Sequence, residues 1–397
     1  MAVHKYYAPL LFSGDGKCHR NAVVICDETG LIQAVDEMTN HDPASLLQLE
    51  GAIMPGMVNA HCHLELSHMK GLVDTGTTLL PFLKSVVQFR DFPQEVIDQA
   101  ISENDQFMYD QGIVAVGDIS NKKDTLATKL SSKIRYCTFV EMFDFLNPGM
   151  TQATIGLYEA VYESYAATLT NKDRVSRVPH APYTVSPGLF DYIQNKNSKG
   201  STVSIHNQET PAENELFQSG TGAFVDFYKG FGMDLSGFQP NGKTSIHYAM
   251  ENMDPEQTTL MVHNTLTTAE DLAAAYAWSA KVYWVTCPNA NLYIENRMPN
   301  YRVFLDAHQA LTIGTDSLTS NWQLSVWEEV KTIHRFNSWI PIEELLQWAT
   351  INGARALGFD DELGSIQPGK RPGLVNVPIM AGEKGYILGQ TAPRRII

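Results

Sequence analysis

The clearest pattern in the chain is an alternation of short apolar runs with stretches of helical period. The first run, 52–63, is broken once by Pro55-Gly56 and ends in His61-Cys62-His63. Further runs of strand character follow at 113–119, 134–143, 175–180, 202–206, 259–263, 282–287 and 311–316, which makes eight. Between most of them the apolar positions take a helical period, as at 95–109 (stopped by Gly112), at 153–169, and at 269–278 behind a Thr267/Thr268 cap. Two more helical stretches, 324–336 and 342–357, follow the eighth run. Such alternation implies a parallel sheet, and eight repeats imply closure into a (β/α)8 TIM barrel within an α/β fold. The competing arrangement is an open, doubly wound sheet. It would favour a Gly-x-Gly-x-x-Gly turn after an early strand, and none is present.

The two ends of the chain have a different texture. From 6 to about 49, β-prone runs at 8–13, 22–26 and 31–35 are separated by turns such as Gly14-Asp15-Gly16 and Asp27-Glu28-Thr29-Gly30. Residues 364–377 are again turn, strand, turn, and nothing from there to Ile397 has a long helical period. The expected organisation is a small β-sandwich domain built from 1–53 and 364–397, beside a barrel at 54–363.

A formal charge of −15 argues against nucleic acid or an anionic membrane as partner, since phosphate would be repelled over most of the surface. A small-molecule substrate fits better. Five widely spaced cysteines with no Cys-x-x-Cys pair suit a reducing compartment and exclude a cysteine zinc cage. Met1 to Tyr7 lacks the basic start and apolar run of a signal peptide, and no apolar span of membrane length follows. The expectation is a soluble, cytoplasmic protein.

Barrel active sites form at the carboxyl ends of the strands, so the polar residues that end these runs carry the chemistry. They are His61 and His63 on the first, His180 on the fourth, His206 on the fifth, His263 on the sixth and Asp316 on the eighth. His61 and His63 face the same way because strand side chains alternate. One such histidine would ordinarily be structural. Six metal-competent groups at one rim point to a cation, which lets each buried imidazole present a neutral nitrogen. A catalytic Zn or Fe ion keeps three or four N and O ligands. The choice here is His61, His63, His206 and Asp316, with His180 and His263 left for water or substrate. No strand end offers a lysine that could be carbamylated to bridge two ions, so one metal is expected. Glu209, three residues after His206, is placed to act as general acid and base. Its alternative role is a negative charge at the start of a helix near Pro211.

Taken together these motifs resemble the amidohydrolase superfamily over nearly the whole chain. The resemblance is carried by Pro55 to His63, His180-Ala181-Pro182-Tyr183-Thr184-Val185-Ser186, His206-Asn207-Gln208-Glu209, Val262-His263-Asn264, Gly314-Thr315-Asp316-Ser317 and the closing segment 364–370. It points to the branch of mononuclear aminohydrolases that includes adenosylhomocysteine, aminodeoxyfutalosine and guanine deaminases and triazine hydrolases. The resemblance implies one divalent metal, zinc before iron or manganese, held by His61, His63, His206 and Asp316. It implies catalytic roles for Glu209, His263 and Asp316, substrate contacts from His180, Glu209 and His263, and the option of a homodimer. The implied reaction is hydrolytic deamination of an aminated heteroaromatic ring, with an adenine-type nucleoside first. Guanine-type deamination, triazine dechlorination and cyclic-amide opening are the alternatives on the same site. A barrel that had lost its chemistry would lack a ligand or Glu209, and none is missing.

Two departures stand out. Arg371-Pro372-Gly373-Leu374 replaces the acidic residue usual after the closing lysine, and Cys287-Pro288-Asn289-Ala290-Asn291 lacks the Ser or Arg common in that loop. The second leaves substrate identity open. Glu65 is expected to anchor its loop rather than meet substrate. Of the aromatics near the mouth (Phe82, Phe89, Phe143, Phe145, Tyr183, Trp284, Trp322), none is assigned, though Trp322 and Asn321 follow Asp316 most closely. The glycine-rich stretch 220–242 is a candidate for a lid or a subunit contact.

Overall fold

The computed structural model describes residues 3–397 apart from 171, 234, 236 and 384. Eight parallel strands form two sheets of four. The first sheet contains β1 (Met57–Cys62), β2 (Ile113–Ser120), β3 (Arg135–Met142) and β4 (Arg174–Pro179). The second contains β5 (Thr202–Asn207), β6 (Thr258–His263), β7 (Val282–Thr286) and β8 (Leu311–Ile313). Backbone hydrogen bonds join the sheets at both seams. The His206 amide donates to the His180 carbonyl (2.9 Å), and the Thr315 and Asp316 amides donate to the His61 carbonyl (2.9 and 3.0 Å). The sheet therefore closes on itself, as the eight repeats predict.

These strands read as near-continuous apolar runs because both faces are covered, by the barrel interior and by the surrounding helices. Every residue of β1 and β2 is buried. Gly314 is required where β8 passes β1, since a Cβ there would lie 2.8 Å from the His61 Cβ. The helices at 95–109, 153–169, 269–278 and 324–336 appear as Gln94–Asp110, Thr151–Thr168, Ala269–Trp278 and Val326–Phe336. The stretch 342–357 is two helices rather than one, Ile342–Trp348 and Ile351–Ala356. The break falls at Thr350, where the backbone leaves helical angles and the second helix seats Gly353 against Val58 of β1. Helix α1 (Leu79–Phe89) is not among the expected helical stretches, although its apolar residues at 79, 82, 83 and 86 take a helical period.

The chain ends meet in small sheets. One has the order Ile32–Glu37, Ala22–Asp27, Val3–Tyr7, Leu47–Gln48; the other runs Arg394–Arg395, Leu374–Val377, Ala52–Pro55, Leu10–Phe12, Cys18–Arg20. Tyr6, Leu11, Val24, Ile53, Ile366 and Leu374 share one buried cluster. We propose the division into 1–53 with 364–397, and 54–363, with the strand Ala52–Pro55 crossing from one part to the other. Among the described residues no helix is long and apolar enough to cross a membrane. All five cysteines are free thiols.

Candidate active site

The strand ends bring the expected donors together. His63 Nε2 lies 3.2 Å from His61 Nε2, 3.3 Å from His206 Nε2 and 3.4 Å from Asp316 Oδ1. His61 Nε2 is 3.6 Å from the same carboxylate oxygen. The His206 tautomer is set by its other nitrogen, which donates to the His180 carbonyl (2.8 Å), so Nε2 turns a lone pair to its neighbours. Protons cannot bridge all of these contacts at once. Ligands bonded at about 2.0–2.2 Å to one tetrahedral ion stand about 3.3–3.6 Å apart, so these four separations suit a shared divalent cation; His61, His63 and Asp316 form one group of convergent donors, and His61, His206 and His263 form another.

Electrostatics favour the same state. Burial, then the neighbouring imidazoles, pulls His206 well below its ordinary range. Burial pulls His63 down to about 3, and His180 and His263 to about 4. These rings are neutral at physiological pH and ready to bind. Burial opposes the charge on Asp316, but the His61 hydrogen bond and the surrounding imidazoles prevail and hold it well below the carboxylate range. Asp316 takes a left-handed backbone (φ 56°), as do His263 (76°) and Gln208 (48°), a local strain typical of residues that must be aimed. Ser320 donates to its second oxygen (2.6 Å).

Glu209 is buried at the edge of this cluster, its Oε2 3.6 Å from His263 Nε2. Burial, then Asp316, Glu213 and Glu295, pushes its carboxyl well above the usual range. The role of charge at a helix start falls instead to Glu213, on the helix Pro211–Ser219, whose carboxylate accepts from the Gln208 and Glu209 amides (3.0 Å each). Glu209 is thus free to face the cavity. His180 lines the same cavity, its Nδ1 at 2.8 Å from the Thr184 hydroxyl.

The amidohydrolase family pattern matches residues 52–387. The chain belongs to the amidohydrolase family. It is a metal-dependent hydrolase acting on carbon–nitrogen bonds. An aminodeoxyfutalosine deaminase of Nitratiruptor sp. is 28% identical over 393 residues, covering 92% of this chain and 91% of its own. Helicobacter pylori aminofutalosine deaminase, solved with methylthio-coformycin, superimposes with a TM-score of 0.78 at 22% identity, covering 98% of this chain and 94% of that one. An adenosine deaminase of Xanthomonas campestris, solved with bound zinc, gives 0.75 at 22% identity over 94% and 84%.

Several residues that shape this amidohydrolase centre carry no local sequence signal. Asn291 accepts at Oδ1 from His263 Nδ1 (2.8 Å), which leaves the His263 lone pair on Nε2, toward Glu209. Asn59 and Thr315 bond reciprocally across the β8–β1 seam (2.8 and 3.0 Å). Asp118 accepts from the Leu64 amide (2.8 Å) just past His63, and Lys129, fully buried, pairs with it at 2.6 Å. Glu65 accepts from the Asn121 and Lys122 amides (3.0 and 3.1 Å), the anchoring role expected of it. Of the candidate aromatics, Phe82, Phe143, Phe145 and Tyr183 line the cavity. Trp322 packs on Tyr293 at the surface, and Asn321 supports the Thr315 carbonyl (2.7 Å). In the 220–242 stretch Phe227 and Tyr228, on the helix Ala223–Gly230, reach the cavity; residues 234 and 236 lie outside the described part.

Proposed function

We propose that the chain is a hydrolytic deaminase of an adenine-type nucleoside, using one divalent metal held by His61, His63, His206 and Asp316. The observation that carries this reading is the position of Glu209: a buried carboxyl with raised proton affinity, beside the donor cluster and at the inner end of a largely apolar cavity. The three nitrogens and one carboxylate oxygen suit zinc, and iron or manganese would fit the same donors. When bound there, the ion would lower the pKa of a water from about 15.7 towards about 7.

Glu209 accepts a proton and delivers it to the ring nitrogen next to the amino-bearing carbon. His263, with its Nδ1 proton committed to Asn291, keeps Nε2 for the reacting oxygen and for Glu209. His180 hydrogen-bonds the substrate, and Asp316 relays the second proton to the departing ammonia. The aromatic and aliphatic walls from Phe82, Phe143 and Phe145 accept a flat base and exclude bulk water. We infer a cytoplasmic enzyme with the option of a homodimer, and its −15 charge favours a small-molecule partner over nucleic acid or an anionic membrane.

The test is ammonia release from the metal-loaded protein given adenosine, 5′-methylthioadenosine, S-adenosylhomocysteine, aminodeoxyfutalosine, guanine and cytosine. Adenine nucleosides are expected to be turned over and the free bases not. In Glu209→Gln, metal content stays at one per chain and kcat falls about 10²- to 10⁴-fold. Turnover of guanine alone would replace the reading, and near-normal rates in the variant would remove Glu209 from the mechanism.

A further inference from the structure

Apart from the groups already given roles, the cavity presents a polar patch of Arg90, Asn121 and Glu141. Glu141, on β3, is 2% exposed. Its Oε2 accepts from Asn121 Nδ2 (3.1 Å), and the same amide reaches the Glu141 carbonyl (3.1 Å). Asn121 is itself fixed, since its backbone amide and that of Lys122 are held by Glu65. Arg90 stands 3.8 Å from Glu65. Asn121, itself held by Glu65, therefore fixes Glu141 in place, yet among the described residues its Oε1 is buried without a hydrogen-bond partner.

A buried acceptor left unpaired is costly, so one that is held rigidly at a cavity wall is a group waiting for a ligand. Among the described residues none supplies the partner. The nearest donor, His206 Nδ1 at 3.5 Å, already gives its proton to the His180 carbonyl at 2.8 Å. That bond also argues against a second cation among Glu141, His180 and His206, whose ligand atoms lie within 4.8 Å of one another.

The chemistry of the substrate class then narrows the partner. In an adenine nucleoside the ring nitrogens of the base accept hydrogen bonds, and its one N–H donor is the amino group that leaves. Any other donor sits on the sugar. A hydroxyl also both donates and accepts, so it suits a carboxyl in either protonation state.

We propose that Glu141 is a specificity-determining residue whose Oε1 hydrogen-bonds a ribose hydroxyl, so that the cavity reads the sugar as well as the base. This rests on the deaminase reading above, and it assigns Asn121 and Glu65 as the residues that position Glu141.

The experiment compares the metal-loaded wild type with Glu141→Leu and Glu141→Gln on adenosine, 2′-deoxyadenosine and 3′-deoxyadenosine. In parallel, binding of the three nucleosides to the metal-loaded Glu209→Gln protein is measured by calorimetry, with and without Glu141→Leu. The wild type is expected to lose about 10- to 100-fold in kcat/KM on one deoxy form, chiefly through KM. Glu141→Leu loses as much on adenosine and nothing further on that deoxy form. Glu141→Gln turns its oxygen to Asn121 and its NH2 to the hydroxyl, and so recovers most of the preference; it also carries the test if the leucine variant fails to fold. Equal rates on all three nucleosides in the wild type, or an equal loss on all three in the variants, would overturn the proposal while leaving the deaminase reading intact. Hydroxyl-dependent binding that Glu141→Leu abolishes, without ammonia release, would support Glu141 and overturn the reaction. Absence of binding by any of the three overturns both.

Discussion

Among the five histidines of the site, the nitrogen each has already committed decides what it can do next. His206 spends Nδ1 on the His180 carbonyl, and His263 spends Nδ1 on Asn291, so both leave Nε2 with a lone pair. Burial pulls His263 down to about 4, so at neutral pH its ring is neutral and carries only that one proton. Glu209, raised by burial, is the proton holder of the pair. Asn291 acts by fixing this arrangement. In Asn291→Leu the His263 Nδ1–H loses its acceptor and the tautomer is no longer imposed. kcat is expected to fall about 10- to 100-fold with metal content unchanged, as steady-state rates beside elemental analysis would show; an unaltered kcat would sink the assignment. The donors proposed as ligands were legible in the sequence because each ends an apolar run, and Glu209 because it follows one of them, His206, by three residues, both local signals. Asn291 was not, because its importance comes from a hydrogen bond to His263, 28 positions away in the chain.

At the level of elements, the end of β1 needs support because two of the proposed ligands, His61 and His63, leave it within three residues. Asp118 of β2 provides it by accepting the Leu64 amide, and Lys129 neutralises Asp118 while donating to Ser120 and Thr138 (3.1 and 3.0 Å). Burial works against the Lys129 charge, but Asp118 outweighs it and raises the ammonium's pKa. Lys129→Met would strand a carboxylate in a fully buried position. It is expected to cost about 3–5 kcal/mol in urea denaturation of the metal-free protein, and Asp118→Asn in the same chain should restore part of the loss by removing the charge while keeping an acceptor for Leu64. A loss that the second change does not relieve would mean packing, not charge, is what Lys129 supplies. The strands were readable because burial on both faces leaves a continuous apolar run, and the long helices because their period spans several turns. Lys129 sits in the six-residue helix Leu126–Ser131, too short to show a period, and a lysine alone gives no sign that the fold buries it.

Over the whole molecule, the barrel closes through the residues that would bind the metal. One seam joins His180 to His206 and the other joins His61 to Thr315 and Asp316, so closing the sheet and assembling the ligands are a single event. The small sheets add to this by holding the strand Ala52–Pro55, which leads directly into β1, between Leu374–Val377 and Leu10–Phe12. Closing the barrel buries the imidazoles away from water, and that has a consequence for pH. An imidazole with an ordinary pKa near 6.5 loses about tenfold in metal affinity between pH 7.5 and 5.5, so three of them would lose about 10³-fold. Here burial holds His63 near 3 and His206 well below its ordinary range, and Asp316 stays ionised. A ring whose pKa is depressed remains neutral above that pKa, so a proton competes with the metal at His63 only as pH falls towards 3. Metal affinity should therefore weaken by no more than about tenfold from pH 7.5 to 5.5, in competition against a chelator corrected for its own protonation. A thousandfold loss over that interval would mean that the ligands are hydrated in the metal-free protein and that the ion, rather than the closed barrel, brings them together.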